Sequence, residues 1–218
     1  MPVQNEKSMS IAPRQLDRQK QTKPMQRHNK AIYHLLLTAV FAIFLMVTTT
    51  ACQQTPPVLK IALVAPFEGS ERAIGYDAIY AARLAVREIN QAGGINGYHI
   101  ALVSLDDSGQ PELATAVAKS LVLDEQIIAV VGHGTSQTTG VVQKIYRDAD
   151  IPLIPLTPAD PNTLSPQFHQ AYEAVTPFDE QAGPYAGPTY QAFEQLFAAI
   201  DANPQPTRAD IRTYVETQ

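Results

Sequence analysis

The sequence Ile-Ile-Ala-Val-Val-Gly-His-Gly-Thr-Ser-Gln-Thr-Thr-Gly, residues 127–140, joins a run of aliphatic residues to a small, hydroxyl-rich turn. The aliphatic run predicts a buried strand that breaks at Gly132, and a helix is expected after the turn. The free N–H groups at the start of such a helix, together with its dipole, attract an anionic group, and Thr135 and Ser136 add hydroxyl donors. The stretch therefore predicts a polar pocket at the end of a buried strand.

A structural interpretation of the same turn is equally open. Gly132 and Gly134 allow a tight connection between strand and helix, and Ser136 would then serve only to cap the helix. Short turns of Gly, Ser and Thr are common at such junctions. The local sequence does not decide between a binding pocket and a simple turn.

Strands and helices are predicted to alternate along the chain from residue 58 onward. Alternation at this spacing is typical of right-handed βαβ units, so we expect an α/β fold: a doubly wound, mostly parallel sheet with helices on both faces. Ligands of such sheets bind at the carboxyl ends of the strands. The strands are expected at residues 58–65, 98–105, 127–132 and 153–154, a short extended piece at 174–176, and helices at 72–92, 111–123, after the turn to about 148, 189–202 and from 207 onward.

The first fifty or so residues have the composition of a targeting or anchoring segment. Residues 1–30 are polar and basic, and they are predicted to be a disordered cytoplasmic leader. Residues 31–51 begin with an apolar run, Ala31 to Val47, whose length lies between that of a signal-peptide core and that of a minimal membrane span. The positive charge ahead of this run keeps its start inside the cell. Residues 52–57 are predicted to be a tether, and residues 58–218 a folded lobe.

Cys52 is the only cysteine of the chain, which excludes an internal disulfide and a thiolate metal cluster. Small residues lead from the apolar run to this cysteine, and the arrangement resembles a bacterial lipoprotein signal, in which the segment is cleaved before the cysteine and the thiol receives a lipid. Thr49 stands where that signal usually has Leu, and the leader is unusually long. An uncleaved single membrane span is the alternative. Both interpretations place the remainder outside the cytoplasm, tethered to a membrane.

Charge and motif content exclude several classes of function. From Cys52 onward nine Lys and Arg stand against nineteen Asp and Glu, and so acidic a body argues against nucleic acid as a partner. The chain has no phosphate-binding glycine motif, and its five His are dispersed without metal-ligand spacing. His133 and Ser136 are close neighbours in sequence with no orienting acid indicated, so a nucleophile–base pair is not expected. We therefore predict a protein that is not an enzyme and that uses no cofactor or metal.

The run from Leu84 to Asp107 resembles the bacterial leucine/isoleucine/valine-binding proteins, which are type I periplasmic binding proteins of amino-acid ABC transporters. Its most specific element is Glu-Ile-Asn-Gln-Ala-Gly-Gly-Ile-Asn-Gly, and the resemblance covers most of residues 58–218. In this family the pair Asp106-Asp107 would end a strand and cap the next helix rather than hold a metal ion. Further matching segments are Gln110-Pro111, Gly132-His133 with Ser136, Ile151 to Ile154, Thr176 to Asp179 and Pro184 to Ala186.

The resemblance implies two lobes that close on an amino acid, the first of which holds the ligand carboxylate with hydroxyls and backbone N–H groups. Ser136 matches the family's hydroxyl after the Gly-His pair, and Thr157-Pro158-Ala159 resembles its Ser-Pro-Ala turn, which contributes backbone contacts. Thr135, Ser136, Thr157 and Ala159 are therefore predicted to line the ligand site. Asp160 stands near the place of a further hydroxyl donor of the family and would repel a carboxylate.

The second lobe of the family is predicted to be absent. In the family the segment that matches Val175 to Gly183 enters that lobe, whose residues supply the acidic partner of the ligand's ammonium group. Here Gly183 runs directly into Pro184-Tyr185, which belongs after the lobe. A single lobe is expected to remain, and it would leave one side of the ligand in water, where charged hydrogen bonds are weak.

The predicted function is that of an extracytoplasmic solute-binding lipoprotein of an ABC transporter. Its expected partners are an amino acid or a similar anion, a transporter permease and the membrane. A membrane-tethered interaction or sensor module is one alternative, and a truncated relative without function is another.

Overall fold

The computed structural model describes residues 32–41, 55–177 and 180–217. The chain divides into two compact units, Met1–Gln54 and Thr55–Gln218. In the first unit, residues 32–41 form helix α1, whose side chains are exposed. Among the described residues no helix has both the length and the apolar character needed to cross a bilayer. The predicted leader, most of the predicted anchor and Cys52 lie outside the described residues.

The second unit contains one parallel sheet in the strand order β2-β1-β3-β4, which confirms the predicted fold class. The sequence predicted each strand to within one residue. The strands are β1 (Val58–Ala65), β2 (His99–Asp106), β3 (Ile127–Gly132) and β4 (Leu153–Ile154).

Six helices of the second unit accompany the sheet. One of them, α5, was not predicted, and Ala174 to Thr176 are turn residues that follow it rather than the expected extended piece. The sixteen-residue helix α6 begins three residues before its predicted start. The helices are α2 (Arg72–Gln91), α3 (Pro111–Val122), α4 (Ser136–Asp148), α5 (Pro166–Glu173), α6 (Ala186–Asp201) and α7 (Arg208–Glu216), with a 3₁₀ turn at Pro161–Thr163.

Strand β1 is covered on both faces, as expected for a parallel sheet with helices on each side. Ile61 and Leu63 belong to the larger core cluster, which also contains buried residues of α2, α6 and α7. Ala62 and Val64 point the other way and pack in a second cluster with residues of α3 and α4. All four of these side chains have no exposed surface, so β1 is the centre of the fold.

Gly132 ends β3 at a point of very close contact with β1. Its φ angle is +147°, and a Cβ built on it would lie 2.1 Å from the carbonyl oxygen of Val64. No L-residue with a side chain fits there, because both the backbone conformation and the neighbouring backbone oppose it. Gly132 therefore allows β3 to approach β1 and to turn directly into the loop that leads to α4.

We predict that Gly132→Ala lowers the free energy of unfolding by more than about 2 kcal/mol, because it adds strain and a clash with backbone. The matched control is Gly140→Ala on α4, where a Cβ meets nothing within 4 Å. That change is expected to stabilise the protein by about 0.5–1 kcal/mol, since Ala favours helix. Urea unfolding measures both values, and a Gly132→Ala protein as stable as the wild type would contradict the prediction.

A buried polar network fixes the carboxyl ends of β2 and β3 to α4. Asp107 Oδ2 lies 2.7 Å from His133 Nδ1, and His133 Nε2 lies 3.1 Å from the hydroxyl of Tyr146. All three residues have no exposed surface. Burial and the charge of Asp107 raise the pKa of Tyr146. Tyr146 is therefore a neutral hydroxyl, and the network joins three elements without contact with solvent.

We predict that Tyr146→Phe lowers the free energy of unfolding by about 1–2 kcal/mol, because His133 Nε2 is left buried without a partner. Tyr76→Phe is the control, since the side chain of Tyr76 is exposed and loss of its hydroxyl should change stability by less than about 0.5 kcal/mol. Thermal or urea unfolding compares the two variants. Equal stability of the two would show that the network contributes nothing.

Candidate ligand-binding site

The loops after β1, β2 and β3 meet at the carboxyl edge of the sheet. Asp106 Oδ1 at the end of β2 accepts a hydrogen bond of 2.7 Å from the backbone N–H of Phe67, which follows β1. A Cβ on Gly134, after β3, would lie 2.7 Å from Ile74 Cγ2 and 3.0 Å from Pro66 Cδ. A side chain at position 134 would have to displace Ile74 or Pro66, and the three loops are in direct contact.

The N-terminus of α4 lies at this edge, as predicted, but Thr135 and not Ser136 caps the helix. The side chain of Thr135 accepts a hydrogen bond of 3.2 Å from Thr138 N, and the two hydroxyls are 2.9 Å apart. Because Thr138 also bonds back to the backbone of Thr135, the two residues form a capping box. The interpretation of Ser136 as the cap was wrong, and the Thr135 hydroxyl is largely committed to the helix.

Ser136 is the first residue of α4 and its side chain is exposed. Its position combines a hydroxyl that points to solvent with the free N–H groups of the first helical turn. The cap uses one of these N–H groups, that of Thr138. Of the four predicted site residues, Ser136 offers the clearest hydrogen-bond donor.

Thr157 and Ala159 lie in the loop after β4, and both are exposed. Strands β3 and β4 are parallel neighbours, with Val131 paired to Ile154, so this loop and the start of α4 occupy the same edge of the sheet. The backbone N–H of Ala159 donates to the carbonyl oxygen of Pro184 over 2.9 Å. That amide is therefore already used within the lobe, which leaves the carbonyl and the side chain of Ala159 for a ligand.

Asp160 follows Ala159 and caps the short 3₁₀ turn, where its Oδ1 accepts a hydrogen bond of 2.9 Å from Asn162 N. It is exposed beside the predicted site and carries a negative charge there. The sequence expectation that this position opposes a carboxylate is consistent with its location.

The chain that leads into α6 is held against α2. The carboxylate of Asp77 on α2 accepts backbone hydrogen bonds from Gly183, Tyr185 and Ala186 at the start of α6 and one from the Tyr172 hydroxyl. Burial raises the pKa of Asp77 more than these hydrogen bonds lower it. We call these contacts the Asp77 clamp. They fix the first turn of α6 against α2.

Asp106 ends β2, as the resemblance implied, but the expectation that the pair caps the next helix was wrong, because the N-cap of α3 is Gln110 and no side chain caps it. Asp106 accepts hydrogen bonds from Phe67 N, Ser108 N and the Ser108 hydroxyl. Burial acts to raise the pKa of Asp106, but the bonds from Ser108 and Phe67 together lower it. Asp107 orients His133, a pairing that the sequence analysis missed because the two residues are 26 positions apart. The part of the chain that the structure describes contains no group of three or more potential metal ligands.

Three cavities on the lobe lie away from the four predicted site residues. One lies between α4, β4 and α7, a second between α2 and β2, and a third between α2 and the chain that leads into α6. Thr135, Ser136, Thr157 and Ala159 line none of these three. Ser136, Thr157 and Ala159 are exposed, so the predicted site lies at the surface of the sheet edge.

Comparison with known proteins gives consistent matches to one family. A sequence profile described as periplasmic binding protein matches residues 58–186. An "Amino acid binding protein" of Pseudomonas aeruginosa is 40% identical over 102 residues, which cover 47% of this chain and 27% of the relative. A "Leucine-, isoleucine-, valine-, threonine-, and alanine-binding protein" of the same organism is 30% identical over 151 residues, covering 69% of this chain and 40% of the relative.

Solved structures give similar partial matches. The branched-chain amino acid transporter substrate binding protein LivJ of Streptococcus pneumoniae, in complex with isoleucine, is 36% identical, with a TM-score of 0.44 and coverage of 46% of this chain and 29% of that chain. The chain spans less than half the length of each of these relatives. The two Pseudomonas aeruginosa relatives are both described as binding proteins, and neither description names an enzyme. The profile match over more than half of the sequence shows that the chain belongs to the periplasmic binding protein family.

Proposed function

We propose that this chain is an extracytoplasmic, membrane-tethered solute-binding lipoprotein of an ABC transporter, with ligands of the branched-chain amino-acid class. Family membership supports the transport class, because two of the similar proteins are described as binding leucine, isoleucine or valine. The observation that carries the proposal is the placement of Ser136 at the exposed N-terminus of α4, at the carboxyl edge of the sheet. Ligands of parallel α/β sheets bind at this edge.

In the proposed complex the ligand carboxylate lies against the first turn of α4. Ser136 donates its hydroxyl, and the free N–H groups of the turn add the field of the helix dipole. Thr157 reaches the same edge from the neighbouring strand, and Thr135 and Ala159 complete the surface. The transporter permease is the expected recipient of the ligand.

Binding by this lobe is expected to be weak for three reasons. Ser136, Thr157 and Ala159 are exposed, so water competes for their hydrogen bonds to a charged ligand. The Thr135 hydroxyl and the Ala159 amide, two of the expected donors, already bond within the lobe. Asp160 adds a negative charge beside the place of the carboxylate.

We predict that calorimetry of leucine with the full chain shows no binding in the micromolar range. Weak binding should instead appear by nuclear magnetic resonance as changes in the chemical shifts of the amides of residues 134–137 at millimolar concentrations of leucine. Ser136→Ala should reduce these changes. Ser120→Ala is the control, because Ser120 lies on α3, which carries none of the predicted site residues. Its exposed hydroxyl donates to the carbonyl oxygen of Val117 on the same helix. Micromolar affinity for leucine would contradict the weak-binding proposal, and unchanged shifts in Ser136→Ala would contradict the assigned site.

The proposed anchor depends on Cys52. Its position after the apolar run and the small residues 48–51 supports cleavage and lipid attachment, by likeness to bacterial lipoprotein signals. Two polar residues and a Pro-containing segment then lead to β1, which gives the lobe a short tether.

We predict that the protein extracted from bacterial membranes has lost residues 1–51 and carries a diacylglyceryl group on Cys52. Intact mass spectrometry measures this, because the expected product is several kilodaltons lighter than the full chain. Cys52→Ser is the control and should keep the uncleaved mass. A wild-type protein that keeps residues 1–51 and a free thiol would favour the single membrane span.

A further inference from the structure

A second concave surface, which we call the α2–β2 pocket, lies at the other end of the sheet from β4. It occupies about 300 Å³ between helix α2 and strand β2, which is an edge strand. Pockets for small molecules begin at about this size. Three aromatic residues and three polar residues provide most of its lining: Phe67, Tyr76, Tyr80, Arg83, Ser104 and Asp106.

Two contacts fix how α2 lies along β2. A Cβ on Gly75 would lie 2.3 Å from the carbonyl oxygen of Pro66, so the start of α2 lies at the carboxyl end of β1. Near the other end, Asn90 makes two hydrogen bonds to the backbone of Ile100, of 2.8 and 2.9 Å. Gly75 and Asn90 are about 22 Å apart along the helix, and the backbone groups that they contact are about 20 Å apart along the sheet. Helix α2 therefore runs antiparallel to β2 with little tilt.

This alignment places opposite charges at the two ends of the pocket. Tyr76 is one residue from the anchor at Gly75 and therefore lies level with Asp106, whereas Arg83 lies about 10 Å further along the helix. Helical side chains point back toward the helix N-terminus, which carries the guanidinium of Arg83 toward Asp106. The two charges form no ion pair with each other in the described part of the chain, so a gap separates them.

The polar groups are accessible and ordered. The guanidinium carbon of Arg83 lies 5.6 Å from the centre of the Tyr80 ring, and this contact holds the exposed side chain over the pocket. Ser104 and Asp106 alternate with Leu105 along β2 and share the face of Ile100 and Leu102, which pack toward α2. Asp106 is ionised at neutral pH because its hydrogen bonds lower its pKa.

Phe67 and Tyr76 form an apolar wall at the Asp106 end of the pocket. The rings of Phe67 and Tyr76 meet edge to face at 6.5 Å, and Tyr76 remains 47% exposed. An exposed aromatic side chain in a concave surface offers apolar area to a ligand, and no other part of the protein has to move to make that area accessible. Asp106 would repel a ligand that carries only a negative charge, and Arg83 would repel one that carries only a positive charge. A ligand that carries both charges therefore fits the pocket best.

We propose that the α2–β2 pocket binds a free amino acid as its zwitterion, preferably one with an aromatic or large aliphatic side chain. Arg83 and Ser104 hold the carboxylate, Asp106 accepts from the ammonium group, and the side chain lies against Phe67 and Tyr76. This site is separate from the one at Ser136, and it does not depend on the proposed function of that site. It needs no second lobe, since both charged partners come from the same lobe.

The test is a titration of L-phenylalanine into the isotope-labelled full chain, followed by nuclear magnetic resonance. We expect the chemical shifts of the amides of Tyr76, Ser104 and Asp106 to change and to saturate at millimolar concentrations of phenylalanine. Arg83→Gln should weaken the apparent affinity about tenfold, because a charged hydrogen bond is lost. Arg87→Gln is the matched control: it is exposed on the same helix one turn further on, outside the pocket, and should leave the affinity unchanged.

Two analogues test the zwitterion itself. Phenylalanine amide lacks the carboxylate and N-acetylphenylalanine lacks the ammonium group, and each should bind more weakly than phenylalanine. The proposal is overturned if either analogue binds as well as phenylalanine, if Arg83→Gln and Arg87→Gln behave alike, or if shifts are absent from the α2–β2 pocket. Shifts confined to residues 134–137 would assign the binding to the sheet edge instead.

Discussion

The burial of β1 on both faces is the constraint on which the rest of the lobe depends. Ile61 and Leu63 require one helical layer and Ala62 and Val64 require another, since none of the four has exposed surface. The layers come from different parts of the chain: α3 and α4 cover one face, and α2 and α6 cover the other. The described helices on the two sides therefore cover both faces of β1.

The sequence predicted those parts of the fold that depend on long patterns. Aliphatic runs located β1 and β3, and helical periodicity located α2 and α3, because each pattern repeats several times. Helix α5 has eight residues and one buried side chain, Tyr172, so it left too little pattern to recognise. The pairing of Asp107 with His133 depends on the order of strands in the sheet, which local sequence does not encode.

The site was predicted less completely than the fold. Resemblance placed Ser136 and Thr157 at one sheet edge, and the topology of β3 and β4 agrees. Hydroxyls at positions 135 and 136 are equivalent in a sequence, and only the structure shows that Thr135 is used in the capping box. The bond from Ala159 N–H to Pro184 O joins two loops that are 25 residues apart, so no local pattern could reveal it. That Arg83 and Asp106 line the same α2–β2 pocket also became visible only in the structure, because the two residues are 23 positions apart.

The Asp77 clamp has a consequence for how this lobe tolerates change. One carboxylate on α2 accepts hydrogen bonds from Gly183, Tyr185 and Ala186, so a single side chain fixes both the chain that leads into α6 and the first residue of the helix. The chain before α6 has further attachments to the lobe, because Ala182 is buried in the larger core cluster and Glu180 N–H donates to the Thr176 hydroxyl, so a substitution of Asp77 would remove one of several attachments.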